Sequence, residues 1–217
     1  MKEEVPLLSD FSKEAYRFED LLEIMRRLRA PGGCPWDAEQ THESLVGYLI
    51  EESLEVVEAI EDGSDAALVE ELGDLLLQVV FHAEIAAQQG RFTIDDVARG
   101  IADKLIARHP YVFADADVPD DLLASWEQRK RAEKGRTSAL DGIPDRMSAL
   151  TRAGKVLARA GSHGVPVSTD ASAADIGERM LALVVEANDQ GIDAEQATRA
   201  AVRRLEQRIV HAESTAG

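Results

Sequence analysis

Four acids stand at matched distances on either side of Gly63, and that symmetry limits how the chain can fold. Glu55 precedes Gly63 by eight residues and Glu71 follows it by eight; Glu52 and Asp74 stand eleven away on either side. Residues three apart share a helix face, so Glu52 groups with Glu55, and Glu71 with Asp74. If two helices fold back antiparallel at Gly63, Glu55 faces Glu71 and Glu52 faces Asp74, about 12–16 Å from the turn by helical rise.

Four converging carboxylates repel one another unless a cation sits among them. Oxygen ligands of this kind suit a hard divalent ion, Mg²⁺ or Mn²⁺ ahead of zinc. No Lys or Arg occurs between Asp37 and Asp62, so Glu52 and Glu55 lack basic partners at helical spacing. Asp74 also leads into Leu75–Val80, an apolar run broken only by Gln78, where a carboxylate needs a partner. A solvated face explains any one acid alone. The matched spacing of all four favours a cation site.

Helical periodicity extends well beyond this pair. Phe18, Leu21, Leu22, Met25 and Leu28 recur at three- and four-residue steps, and Ala30-Pro31-Gly32-Gly33 ends that helix. Asp37 and Gln40 have capping-box spacing, which predicts a second helix over 37–62. Further helices are predicted over 65–89, from Thr93 to just before Pro110, and over 120–133, with a loop at 113–119. From 135 to 170, Gly142, Pro144, Gly161, Gly164 and Pro166 punctuate short pieces such as 147–159. Two more helices are expected over 173–190 and 194–213. The weak candidate for a strand is Val165-Pro166-Val167-Ser168.

Composition agrees with an all-α chain. Of 217 residues, 45% are hydrophobic but only 5% aromatic, with Ala, Leu and Val abundant. The formal charge of −17 repels phosphate backbones, so nucleic acid is excluded as a general partner, whereas a small phosphate substrate needs only local positive charge. The single cysteine, Cys34, rules out an intrachain disulfide and a Cys-rich zinc site, and fits a reducing cytoplasm. The first twenty residues carry no apolar signal core, and no apolar run is long enough for a membrane span. A cytoplasmic location is expected.

A basic pair and an aromatic–basic pair at helical spacing complement the acids. Lys104 and Arg108 are four apart, as are Trp126 and Lys130. Lys and Arg bind phosphate oxygens, and Trp stacks on a base or ribose. Ordinary surface cations and a core tryptophan are the alternative, and without the acids that alternative is the better one.

With these residues in view, the chain resembles the MazG family. The resemblance lies in LRAPGGCPWDAEQTHESLVGYLIEESLEVVEAI, EELGDLLLQVVFHAEIAAQQGRF, DDVARGIADKLIARHPYVF and WEQRKRAEKG, nearly continuous from Leu21 to Lys134. It implies an all-α helical bundle of the MazG type, two antiparallel metal-binding helices completed by dimerisation. It also implies a nucleoside triphosphate pyrophosphohydrolase that cleaves the α–β phosphoanhydride of NTPs or dNTPs with Mg²⁺, or with Mn²⁺ as a substitute. Glu52 and Glu55 of the EExxE motif, with Glu71 and Asp74 of ExxD, are the implied metal ligands. Glu51 is implied for a second ion or a water, and Glu51 or Glu55 is the candidate base. Lys104, Arg108, Trp126 and Lys130 fall where the family contacts the triphosphate and nucleotide. Tyr111 departs from the family, which commonly has a second histidine there, and His109 reads as structural or capping. Trp36, Asp37, Gln40 and Thr41 either line the pocket or serve as caps and packing.

The resemblance further implies a homodimer, or a dimer of dimers, and a role in nucleotide-pool housecleaning. Residues 1–135 form the expected catalytic domain, and 136–165 a linker with a short helix. In 166–217, Asp175-Ile176-Gly177-Glu178 echoes Glu71–Asp74, and Arg204 and Arg208 echo Lys104 and Arg108. No EExxE precedes Asp175, so this segment reads as a remnant of a second MazG domain without catalysis; its covering the hairpin within one chain is the alternative to a partner subunit. A related dUTPase or phosphoribosyl-ATP pyrophosphohydrolase, and a non-catalytic nucleotide- or metal-sensing module, are the rival readings. Nucleotide profiling separates the first, and pyrophosphate release the second.

Overall fold

The computed structural model describes residues 16–133, 135 and 137–215. Lys134, the last residue of the family resemblance, lies outside them, as do Arg136 and the first fifteen residues. All regular structure among the described residues is helical, and Val165–Ser168 forms no strand. The chain divides into two compact units, the first ending at His109 and the second beginning at Pro110.

In the first unit, α1 (Phe18–Arg29), α2 (Pro35–Glu39), α3 (Val46–Asp62), α4 (Asp65–Gln88) and α5 (Ile94–Arg108) follow one another. The tightest pairing is the α3–α4 hairpin. Gly63 closes it in the left-handed conformation, φ 70° and ψ 28°, which glycine adopts without steric cost. Its amide and that of Ser64 return to the carbonyls of Ile60 and Ala59, satisfying the end of α3. The Ser64 hydroxyl then accepts from the Ala67 amide and starts α4. A reversal made by two residues permits only antiparallel neighbours.

The core sits on the second half of α4. Met25, Leu45, Val80, Phe81 and Ile85 are buried together, with Leu21, Leu22 and Leu77 against them. The buried residues of α4 all fall between Gln78 and Ala86, so its acidic first half extends past the core. At α5, Thr93 and Asp96 form a reciprocal capping box.

The helix predicted over 37–62 is broken. Its first part is the short α2, and residues 40–45 form a turn before α3. The expected capping box of Asp37 and Gln40 is absent. Thr41 and Ser44 exchange hydrogen bonds instead, Thr41 N to Ser44 Oγ at 3.0 Å and Ser44 N to Thr41 Oγ1 at 3.2 Å. Arg29, at the end of α1, donates to the carbonyls of Asp37 and Gln40 and lies over the Phe81 ring. Carbonyls taken up by a distant guanidinium are not free to carry a helix forward.

The second unit holds α6 (Pro110–Phe113), α7 (Leu122–Glu133), α8 (Ala149–Ser162), α9 (Ile176–Asp189) and α10 (Ala194–Thr215). Helices α8, α9 and α10 pack on one another. Ser148, which caps α8, also donates to Glu195 of α10 at 2.6 Å. Asp175 lies outside α9, as its N-cap, and accepts from the Glu178 amide at 2.9 Å. That capping duty accounts for an acid at this position.

Candidate metal centre

The hairpin brings Glu52, Glu55 and Glu71 together. Each offers a carboxylate oxygen, and these oxygens lie within 4.8 Å of one another. Asp74 stands outside that triangle but beside it. Burial and then the charges of Asp74 and Glu55 push the Glu52 carboxyl above its ordinary range. Glu71 is raised by desolvation and then by Glu55, with Glu70 and Asp74 adding to it. The leading neighbour of Glu52 across the hairpin is therefore Asp74, and that of Glu71 is Glu55. This is the register that equal distances from Gly63 dictate.

Among the described residues, none of these four acids has a basic partner. Raised carboxyls with no counter-charge mark a site short of positive charge. Three hard oxygens within such a span could hold a metal ion. Glu51, one residue before Glu52, is exposed.

The cationic residues are placed as follows. Lys104 is half-buried and Arg108 buried, four apart on α5 in the first unit. Trp126 and Lys130 are half-buried, four apart on α7 in the second unit. His109 caps α5, its Nδ1 donating to the Leu105 carbonyl at 2.7 Å. Trp36 is half exposed and meets Tyr48 and Phe81 edge-on, at 6.0 and 6.4 Å between ring centres. Asp37, Gln40 and Thr41 build the turn already described.

Three residues near the acids carried no weight in the sequence reading: Tyr48, Gln78 and His82. Tyr48 lies one turn before Glu52 on α3. Gln78 and His82 lie one and two turns after Asp74 on α4. The available signal was Gln78 itself, the polar residue interrupting an apolar run on the acid-bearing face.

Comparison with known proteins agrees with this geometry. The family model for the MazG nucleotide pyrophosphohydrolase domain matches residues 40–113. An uncharacterised 26.1 kDa protein of Streptomyces cacaoi is 45% identical over 190 residues, which cover 85% of this chain and 78% of that protein. The nucleoside triphosphate pyrophosphohydrolase/pyrophosphatase MazG of Thermotoga maritima is 49% identical over 149 residues, 68% of this chain and 58% of its own. The chain belongs to the MazG family. The matched span holds Glu51, all four acids of the hairpin, Lys104 and Arg108; Trp126 and Lys130 lie beyond it. The uncharacterised protein YabN of Bacillus subtilis is 46% identical over 156 residues, 70% of this chain. The chain spans only 32% of that protein, and less than two thirds of the Thermotoga protein.

Proposed function

We propose that this chain hydrolyses nucleoside triphosphates, NTPs or dNTPs, at the α–β phosphoanhydride, giving the monophosphate and pyrophosphate. Mg²⁺ is the working cation and Mn²⁺ its substitute. The observation that carries this reading is the triangle of Glu52, Glu55 and Glu71 oxygens, crowded and without counter-charge. The names of the Thermotoga relative and of the matching family model supply the reaction class.

Bound divalent ions would screen the triphosphate and lower the pKa of a water for attack on phosphorus. Glu52, Glu55, Glu71 and Asp74 hold them from two helices locked in register by the Gly63 turn. Glu51, exposed beside Glu52, serves a second ion or takes the proton of the attacking water; Glu55 is the alternative base. Lys104, Arg108 and Lys130 neutralise charge developing on phosphate oxygens, and Trp126 stacks on the nucleoside. The roles of Trp126 and Lys130 rest on the family resemblance.

The catalytic domain is assigned to residues 1–135, followed by a linker over 136–165 and a degenerate remnant of a second MazG domain over 166–217. A homodimer, or a dimer of dimers, completes the bundle. Val69, Leu72, Leu76 and Val79 form an exposed apolar stripe along α4, and Ile50 and Leu54 a second on α3, surfaces that favour such pairing. No described helix is long and apolar enough to cross a membrane. A cytoplasmic site and a part in nucleotide-pool housecleaning complete the proposal.

The test is pyrophosphate release from a panel of NTPs and dNTPs with Mg²⁺, with Mn²⁺ and with chelator. Metal-dependent appearance of monophosphate and pyrophosphate in equal amounts is expected. A folded, metal-loaded protein that turns over no nucleotide refutes the proposal.

A further inference from the structure

Gln78 is 5% exposed, and its side-chain oxygen is fully buried without a hydrogen-bond partner. Among the described residues its amide forms no hydrogen bond at all. A buried, unpaired amide costs free energy that an apolar side chain of the same shape would not. Such a group is explained when something outside the chain pairs with it.

Its position says what. Gln78 lies four residues beyond Asp74 and seven beyond Glu71, so all three share one face of α4. It stands one turn past the acids, about 6 Å along the helix, on the side away from Gly63. By the register that pairs Glu52 with Asp74, the residue opposite Gln78 on α3 is Tyr48. Tyr48 and Trp36 meet edge-on with 42% and 50% of their surfaces exposed, and Trp36 also touches Phe81, one turn beyond Gln78. Next to a site for divalent cation and phosphate there is thus an open aromatic pair and an amide with a donor and an acceptor to give. Those are the groups that hold a nucleoside: rings for stacking, an amide for a base edge or a sugar hydroxyl.

We propose that Gln78, with Tyr48 and Trp36, forms the nucleoside-recognition part of this site and sets its selectivity through hydrogen bonds to base or sugar. This rests on the proposed pyrophosphohydrolase function. It adds the residue that tells one nucleotide from another.

The test uses the full chain with Gln78→Leu, Gln78→Met and Tyr48→Leu, assayed across the NTP and dNTP panel. For the Gln78 variants the unfolding temperature should hold or rise, because an unpaired polar group is removed. The KM of the preferred nucleotide should rise about tenfold, as for one lost hydrogen bond, with kcat within about twofold. Tyr48→Leu should raise KM in the same sense. Collapse of the ratios between bases assigns the contact to the base; collapse of the NTP to dNTP ratio assigns it to the sugar. Either result supports the proposal. Unchanged KM and ratios, or a fall in unfolding temperature in both Gln78 variants, overturns it, since the amide is then structural. If the wild-type chain releases no pyrophosphate, calorimetric titration with a non-hydrolysable NTP analogue decides separately. Binding weakened by Gln78→Leu upholds the subsite although the reaction is wrong. Equal binding, or no binding by the wild type, overturns it.

Discussion

The Nδ1 atoms of His42 and His82 lie 2.8 Å apart, with the two rings stacked at 5.0 Å and 11°. Arg91 donates to the other nitrogen of His42, Nε2. His42 must then carry its proton on Nδ1 and give it to His82, whose own proton sits on Nε2. The relay clasps the turn before α3, the body of α4 and the start of the α4–α5 loop, and it requires both rings neutral. The Glu43 carboxyl, next to His42 in the chain, is held low chiefly by hydrogen bonds to its own backbone and Thr41, with smaller effects from His42 and Arg91.

Acid should loosen that clasp. Burial, and then the charge of His42, hold the His82 imidazole below its ordinary pKa of 6.5. The folded chain therefore takes up this proton less readily than the unfolded one. The stability contributed is fully present above about pH 6.5 and is lost as pH falls below it. The unfolding temperature should drop by about a few degrees between pH 7 and 5.5. His82→Phe should flatten that slope, and an unchanged slope would show that other groups set it.

The acid cluster has the opposite sign. Glu52 and Glu71 have folded pKa values raised above 4.5. Without cation they disfavour the fold at neutral pH, and that loss is recovered as pH falls through their raised values. Glu71→Gln should therefore raise metal-free stability at pH 7.5 and erase the stabilisation given by Mg²⁺. Pyrophosphate release should fall by at least about a hundredfold, beyond the loss typical of an outer-sphere change. Calorimetric unfolding with Mg²⁺ and with chelator reads the first effect; full Mg²⁺ stabilisation of the variant would count against this ligand.

Arg29 binds the turn that broke the predicted helix. Its guanidinium donates to the Asp37 and Gln40 carbonyls and to Gln88 at 3.2 Å, over the Phe81 ring. Arg29→Met should cost about 1.5–3 kcal/mol, the range for hydrogen bonds from a charged donor. Urea unfolding with an unchanged m-value would measure it. A cost near zero would mean that the turn stands without it.

Gly33 admits no side chain. A Cβ there would collide with the carbonyl oxygens of Arg27 and Leu28, at the end of α1. Gly33→Ala should destabilise by about 1–3 kcal/mol, as overpacking does. Gly100→Ala, on exposed α5 with open space around it, should instead stabilise by up to about 1 kcal/mol. Equal effects in thermal unfolding would contradict the close approach.

In the second unit, Asp175→Ala should remove the cap of α9 at a cost of about 0.5–2 kcal/mol. Hydrogen exchange at the first turn of α9 should accelerate while pyrophosphate release stays unchanged. A loss of turnover would give this acid a role beyond capping.

Punctuation of the helices was legible in the chain because it is local chemistry. Gly63 alone can take the left-handed turn, Ser64 and Thr93 cap within three residues, and an acid spaced from a tight turn keeps its partner in any antiparallel pair. The convergence of Glu52, Glu55 and Glu71 follows from that spacing. The break at 40–45 was not legible: Thr41 and Ser44 close the turn locally, but it is Arg29, at the end of the preceding helix, that takes the carbonyls a helix would need.

By itself, then, the sequence determined an all-α chain, the hairpin at Gly63 and the face on which its acids lie, since helix period and turn chemistry act within a few residues. Only the tertiary structure decided that Gln78 is buried without a partner, that Trp36 rests against Tyr48 and Phe81, and that His42 meets His82. Each depends on which distant side chains fill the surrounding space, and packing of that kind has no signature along the chain.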